Sequence, residues 1–255
     1  LLWDVDEAID AVRWVAEKGL TSVMLPTLWY DKAPYHDIKY DPFWQACEDL
    51  GIIIHFHSGP APHGEYFGAN FPMEDRRDEL PGAMGIYISE VMWWLYRPLT
   101  FMIWGGVFER FQRLKAMVVE GGTMFMFPTW LKLMDYHYNE GEISAKLGNY
   151  RGHLSMEPSR YFARNCGIGA SCVRRADIEN RHQIGLEQIM WGSDFPHPEG
   201  TWPNTKSYYQ KTFSGIPEED GRKILGGNAV CFYGLDQGKL RAVADEIGPE
   251  ASIFC

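Results

Sequence analysis

The sequence predicts an α/β fold in which parallel strands alternate with helices. Short, apolar, β-prone runs alternate along the chain with stretches of helical periodicity. No two neighbouring strand patterns are joined by a hairpin signal, so consecutive strands must be connected by crossovers. Polar residues follow several of the strands, at the position where α/β proteins gather their functional side chains.

Five β-prone runs predict the strands. Each run is short and is bounded by glycine, proline or polar residues that end a strand. Residues 51–57 form the clearest strand because they are apolar on both faces, as a buried parallel strand is. The predicted strands are residues 21–25, 51–57, 115–120, 166–172 and 188–191.

Amphipathic or aromatic stretches between the strands predict the helices. Gly19 suits the C-terminal cap of the first helix, and Pro42 suits the first turn of the second. Residues 58–83 are rich in Gly and Pro and are predicted to form a lid-like loop, whereas residues 237–255 form a polar tail. The predicted helices are residues 4–18, 42–50, 84–99, 128–138, 176–184, 206–213 and 217–225, with a last turn over 228–233.

The strand count predicts an incomplete barrel. A closed (β/α)8 (TIM) barrel needs eight parallel strands, and this sequence supplies five. Three further strand–helix units would take roughly 90 residues. Because the chain starts within a helix and without methionine, we expect residues 1–255 to be one barrel domain, the C-terminal two-thirds of a longer enzyme. An open five-stranded sheet is the alternative.

The composition excludes several classes of protein. With 45% hydrophobic and 23% charged residues the chain is globular, and its net charge of -10 without a basic block excludes nucleic acid as a partner. The five cysteines form no CxxC pair, which favours reduced thiols and a cytoplasmic location. The N-terminus lacks a signal-peptide pattern, and the most apolar region, residues 84–108, carries Glu90 and Arg97, so no membrane association is expected.

Polar side chains close three of the predicted strands. His55 and His57 end the second strand, Glu120 ends the third, and Asp194 follows the fifth. Imidazole and carboxylate ligands suit Zn²⁺, Mn²⁺ or Fe²⁺, and a metal held by them activates water or polarises a substrate oxygen. His55 and His57 share one face of their strand. Histidines satisfied by neighbouring backbone are the alternative interpretation.

Asp194 lies within the run MWGSDFPH, residues 190–197, where the fifth strand becomes a loop. One interpretation is a turn or capping residue, and the other is a metal ligand or general base. His197, Glu199 and Trp202 follow closely, and this convergence favours the second interpretation. His197 either handles a proton and orients substrate, or caps the loop. His55, Glu199 and Trp202 are candidate substrate contacts.

Four motifs follow one another along the chain. They are HSG at 57–59, FERF at 108–111 with VVEGG at 118–122, WGSDFPH at 191–197, and ILGGNA at 224–229 with YGL at 233–235. In this order they resemble the amidohydrolase-related family, the branch of the amidohydrolase superfamily that includes aminocarboxymuconate semialdehyde decarboxylase and the resorcylate decarboxylases. The resemblance runs from about Leu20 to Asp236.

The resemblance implies a metal-dependent (β/α)8 barrel that acts as a hydrolase or a non-oxidative decarboxylase. His57 matches the family's metal-binding histidine of the fifth strand. Asp194 matches the aspartate of the eighth strand that binds the metal and handles the proton. Zn²⁺ is the most expected metal.

Two positions depart from the family pattern. The first-strand His-x-His pair has no counterpart here, and Glu120 stands where many members carry a histidine, so it is a carboxylate ligand, a substrate contact or a structural residue. The 15% aromatic residues favour an aromatic or conjugated carboxylic acid as the small-molecule substrate. A homo-oligomer is left open. The alternative function is a catalytically silent fragment or a non-catalytic binding domain of the same fold.

Overall fold

The computed structural model describes residues 4–27, 32–57, 82–91, 93–121, 124, 126–140 and 146–255. The chain divides into two compact units, one comprising Leu1–Val118 with Ser144–Met156 and the other Val119–Ile143 with Glu157–Cys255. All five predicted strands are present, and each boundary lies within two residues of its predicted position. The alternation of strands and helices is therefore confirmed.

The first unit alternates helices and strands from its N-terminus. Its elements are helix α1 (Val5–Glu17), strand β1 (Ser22–Leu25), a 3-10 turn (Ile38–Tyr40), helix α2 (Asp41–Leu50), strand β2 (Ile53–His57), helices α3 (Ala83–Glu90), α4 (Trp93–Trp104) and α5 (Val107–Arg110), and strand β3 (Ala116–Val119) at its boundary. Strands β1 and β2 pair in parallel, with Leu25 opposite Phe56. The backbone N–H of Ile54 donates to the carbonyl of Lys115 at 3.0 Å, immediately before β3.

An aromatic cluster fixes α2 against β2 in the first unit. Trp44 of α2 is fully buried, and its ring centroid lies 6.0, 6.3 and 5.1 Å from those of Tyr35, Tyr40 and Phe43. The ring of Tyr35 in turn lies 5.6 Å from Phe56 of β2. Tilted and edge-to-face contacts of this kind add to the apolar area that the rings bury. The cluster thereby holds the strand whose last residue is a candidate metal ligand.

The second unit continues the same alternation. Its elements are helices α6 (Met126–Asn139) and α7 (Pro158–Asn165), strand β4 (Cys166–Ser171), helices α8 (Arg175–Glu179) and α9 (Arg181–Ile184), a 3-10 turn (Leu186–Gln188), strand β5 (Ile189–Gly192), helices α10 (Thr205–Phe213) and α11 (Glu218–Arg222), a π-helical turn (Lys223–Gly227), helices α12 (Asn228–Tyr233) and α13 (Gln237–Ile247), and a 3-10 turn (Ala251–Phe254). The strand order is β1-β2-β3-β4-β5.

Two interactions within the second unit hold strand β5 in place. It pairs in parallel with β4, with Ile168 opposite Ile189. The buried side chain of Asn228, from the motif ILGGNA, donates to the carbonyls of Leu186 and Ile189 at 2.7 and 2.8 Å. Because a buried amide that lost these acceptors would carry a desolvation cost, Asn228 fixes the start of the strand that leads to Asp194.

Several helices differ from their predicted boundaries. The single helix predicted over residues 84–99 forms α3 and α4, and the one predicted over 176–184 forms α8 and α9. Helix α7 was not predicted, and the polar tail contains α13. Residues 58–81, which hold nearly all of the predicted lid over 58–83, lie outside the described residues, so the lid stays a prediction.

Two further observations concern the helices and the cysteines. In the described ranges, none of the helices combines the length and the apolar character that a membrane span requires. All five cysteines are free thiols.

Arg110, from the motif FERF, joins three elements of the first unit. Its Nε and Nη2 donate to the two carboxylate oxygens of Asp41 at 2.9 and 2.8 Å, at the start of α2. Its Nη1 donates to the carbonyls of Gly105 and Gly106, beyond the end of α4, at 2.9 and 3.2 Å. The planar guanidinium matches a carboxylate with two parallel bonds, a geometry that an ammonium cannot reproduce.

We predict that Arg110→Lys lowers the free energy of unfolding by about 1–3 kcal/mol, because lysine loses at least one charge-assisted bond and leaves a carbonyl unpaired. Arg113→Lys is the matched control, since the side chain of Arg113 is 74% exposed and meets Asp49 at 3.4 Å, and exposed pairs contribute little. Denaturant unfolding followed by circular dichroism measures both. Equal losses in the two variants would contradict the structural role of Arg110.

Candidate active site

Glu120, Cys172 and Asp194 share an unusual backbone conformation. Their φ angles are 53°, 52° and 58°, and across the part of the chain that the structure describes they are the only non-glycine residues with positive φ. Glu120 follows β3, Cys172 follows β4 and Asp194 follows β5. A residue with a Cβ pays roughly 1–2 kcal/mol in this region, and such strain concentrates at functional sites. The three residues therefore mark the carboxyl ends of these strands as the candidate site.

The loop after β5 folds back on Asp194. The N–H of His197 donates to the Asp194 carbonyl at 2.7 Å, and the N–H of Gly200 donates to the His197 carbonyl at 3.0 Å. The N–H of Thr201 donates to the Ser193 carbonyl at 3.0 Å and closes the neck of the loop. We call residues 193–201 the β5 loop.

Gly200 allows the β5 loop to close this tightly. A Cβ at this position would lie 2.8, 2.9 and 3.0 Å from the carbonyl oxygens of Ser193, Asp194 and His197. These oxygens belong to the backbone and cannot rotate away as the end of a flexible side chain does. Glycine is thus required for the approach of the two ends of the loop.

The closed loop brings together the two predicted catalytic residues. Nδ1 of His197 lies 3.2 Å from Oδ2 of Asp194, with side chains that are 53% and 18% exposed. The backbone N–H of Glu199 approaches the same Nδ1 at 3.3 Å. Nδ1 therefore donates to the carboxylate when it carries a proton, and accepts from the Glu199 N–H when it does not.

Cys172 is a site residue that the sequence did not single out. Its N–H donates to the Gly192 carbonyl at 3.2 Å, and its carbonyl accepts a hydrogen bond from the Tyr208 hydroxyl at 2.6 Å. Its thiol donates to the carbonyl of Glu199 at 3.4 Å, which ties the β5 loop to the end of β4. Its position at a predicted strand end was the only signal, and it was the same signal that marked Glu120 and Asp194.

Three predicted carboxylates act on this thiol. Burial first, and then the charges of Asp194, Glu199 and Glu120, raise the pKa of Cys172 above its ordinary value. The thiol is therefore held in its protonated form, which donates a hydrogen bond, and not as a nucleophilic thiolate. The structure brings Glu120, Asp194 and Glu199 into the electrostatic surroundings of one side chain.

The other predicted residues occupy two different settings. His55 and His57 are partly buried on β2 of the first unit, and burial lowers the pKa of His55. Trp202 follows the β5 loop with 67% of its surface exposed, and its ring contacts that of Phe195. That His57 and Asp194 share one metal stays a prediction.

The donor types at the strand ends fit a divalent transition metal, since imidazole and carboxylate are ligands of Zn²⁺ and Mn²⁺. Among the described residues, however, no three or more His, Cys, Asp or Glu side chains are grouped so as to hold a metal ion. The described part of the chain therefore supplies individual candidate ligands and not a complete coordination shell.

Comparisons with known proteins identify the family of this chain. A family model described as Amidohydrolase matches residues 1–235. A 2-amino-3-carboxymuconate-6-semialdehyde decarboxylase from Dictyostelium discoideum is 25% identical over 230 residues, which cover 89% of this chain and 57% of that protein. The chain thus spans little more than half the length of this curated relative.

Solved structures show the same fold. The crystal structure of 5-carboxyvanillate decarboxylase LigW from Sphingomonas paucimobilis has a TM-score of 0.67 and 25% identity, covering 91% of this chain and 64% of that one. LigW2 from Novosphingobium aromaticivorans, a 5-carboxyvanillate decarboxylase solved with bound manganese, has a TM-score of 0.68 at 15% identity, covering 91% and 63%, and supports the fold alone.

These matches confirm the predicted α/β fold class and the resemblance that the four motifs indicated. The five-stranded sheet and its helices are consistent with an incomplete barrel of the amidohydrolase type. The match over residues 1–235 shows that the chain belongs to the amidohydrolase family.

Proposed function

We propose that this protein is a metal-dependent carboxy-lyase that removes, without oxidation, the carboxyl group of a small aromatic or conjugated carboxylic acid. The Asp194–His197 pair, seated in the strained β5 loop of an amidohydrolase-family chain, is the observation that carries the proposal. The two named decarboxylase relatives at 25% identity support the reaction class, and the carboxylated compounds in their names support the substrate class.

We propose His57 and Asp194 as metal ligands, from their matches to the family's motifs, with Glu120 as a further candidate ligand. A divalent cation polarises substrate oxygens when it is bound. Zn²⁺ is the first expectation for imidazole and carboxylate donors. Mn²⁺ and Fe²⁺ accept the same donors and are the other candidates.

The Asp194–His197 pair suits the proton transfer that decarboxylation requires. When the carbon–carbon bond breaks, carbon dioxide leaves and the remaining electron pair accepts one proton. With a proton on Nδ1, His197 donates to the Asp194 carboxylate 3.2 Å away. With the proton on Oδ2, Nδ1 accepts from the Glu199 N–H at 3.3 Å. Nδ1 therefore has a hydrogen-bond partner in either protonation state, which suits His197 to hold or release a proton beside Asp194.

The cysteines and the net charge support a cellular location and a class of binding partner. Free thiols at all five cysteines support a reducing, cytoplasmic compartment. The net charge of -10 supports a small-molecule partner over nucleic acid. A homo-oligomer, left open by the sequence, also stays a proposal.

Asp194→Asn is expected to lower turnover by about 100- to 10,000-fold, the usual range for losing a general acid–base group. Folding should be retained, because asparagine has nearly the same shape and tolerates positive φ. The measurement is turnover at saturating metal, with circular dichroism for the fold. Asp245→Asn is the matched control, since its side chain is 59% exposed and lies on α13. A variant that keeps more than about a tenth of the activity, far above that range, would reduce Asp194 to a turn residue.

His57→Gln is expected to weaken metal binding by more than the roughly 10- to 100-fold that is typical of outer-shell changes. His55→Gln is the matched control, because His55 lies on the same strand face but is not assigned as a ligand. Metal per chain, measured by elemental analysis after dialysis, distinguishes the two variants. Equal losses would contradict the assignment of His57, and an unmodified chain that binds no metal would favour the catalytically silent alternative.

A further inference from the structure

Two large aromatic side chains are exposed beside the candidate catalytic pair. Phe195 directly follows Asp194 and is 64% exposed, and Trp202 is 67% exposed. Their ring centroids lie 5.8 Å apart, and the ring planes meet at 73°. We call these two residues the aromatic pair. Exposed apolar surface next to polar functional groups is typical of a ligand-binding surface.

The β5 loop holds the aromatic pair in place. The N–H of Phe195 donates to Oγ of Ser193 at 3.4 Å, and Thr201, the residue before Trp202, donates its N–H to the carbonyl of the same serine at 3.0 Å. The hydroxyls of Thr201 and Thr205 lie 3.1 Å apart, which links the neck of the loop to α10. Both rings therefore extend from backbone that the closed neck holds, which reduces the backbone entropy lost when a ligand binds there.

The angle between the two rings determines which ligand shapes can pack against both of them. Two rings that meet edge to face at 73° form a corner, and the exposure of both residues leaves ring surface open on each side of it. A third planar ring can stack on one wall and direct its edge at the other, which are the two arrangements that aromatic quadrupoles favour. A saturated ring fills the same space but has no face quadrupole, so it gains burial alone.

We propose that the aromatic pair is a binding site for the planar ring of an aromatic ligand, and that it sets the preference of this protein for aromatic over aliphatic substrates. The inference deepens the proposed function and rests on it for the reaction that the bound ring undergoes. Ring binding itself requires neither metal nor a carboxylate on the ligand. The site belongs to the same closed loop as the catalytic candidates, since Phe195 directly follows Asp194 in sequence and His197 lies two residues further on.

The test compares phenol with cyclohexanol, two neutral probes of similar size that differ in aromaticity, on the metal-free 255-residue chain. The indole N–H signal of Trp202, assigned by its loss in Trp202→Leu, is followed by ¹⁵N NMR during titration. Phenol should shift this signal, and cyclohexanol should shift it much less. Trp14 on α1, which is 55% exposed, is the matched control and should respond to neither probe.

Trp202→Leu and Phe195→Leu should each weaken phenol binding by about 2- to 12-fold, the range that one aromatic contact supplies, while cyclohexanol binding stays the same. In each variant the remaining aromatic residue or the backbone N–H of Thr201 reports binding. A Trp202 signal that does not respond to phenol, an equal response to cyclohexanol, or unchanged phenol affinity in both variants overturns the proposal. Ring binding without turnover would remove the proposed reaction and leave the aromatic site, whereas turnover without ring binding would remove only the aromatic site.

Discussion

The hydrogen bond from the Thr201 N–H to the Ser193 carbonyl closes the β5 loop, and the candidate site depends on that closure. Holding Asp194 at a φ of 58° costs roughly 1–2 kcal/mol. Three backbone bonds within the loop, at about 0.5–1.5 kcal/mol each, are enough to offset this cost. The conformation of Asp194 persists because these bonds close the loop around it, and Gly200 is the residue that permits the close approach.

Cys172 adds a side-chain bond to this backbone closure. Its thiol, kept protonated by burial and by surrounding carboxylates, donates to the Glu199 carbonyl. A cationic donor at the same place would neutralise the carboxylates that the proposed metal site needs, whereas a thiol donates while remaining uncharged. The end of β4 thus supports the loop that follows β5 without altering the charge of the candidate ligands.

The strands and the Asp194–His197 pair were predictable because they depend on local pattern. Apolar runs that stop at a glycine or proline, such as Gly192 or Pro26, predict both the strands and their ends. The run MWGSDFPH marks the loop that contains the pair. Helix α7 was missed because it is only eight residues long and lies in a polar stretch, although Pro158 in its first turn was a signal. The role of Cys172 and the corner formed by Phe195 were not predictable, since both depend on how the loop closes and not on residue spacing.

Decarboxylation by this chain is tested most directly by incubating the metal-loaded chain with a panel of aromatic and conjugated carboxylic acids in D₂O. Carbon dioxide and the product are then quantified by mass spectrometry. We expect equimolar carbon dioxide and a product that carries one deuterium on the carbon that lost the carboxyl group. Products that retain the carboxyl group and gain the elements of water, or the absence of any product across the panel at full metal loading, would contradict it.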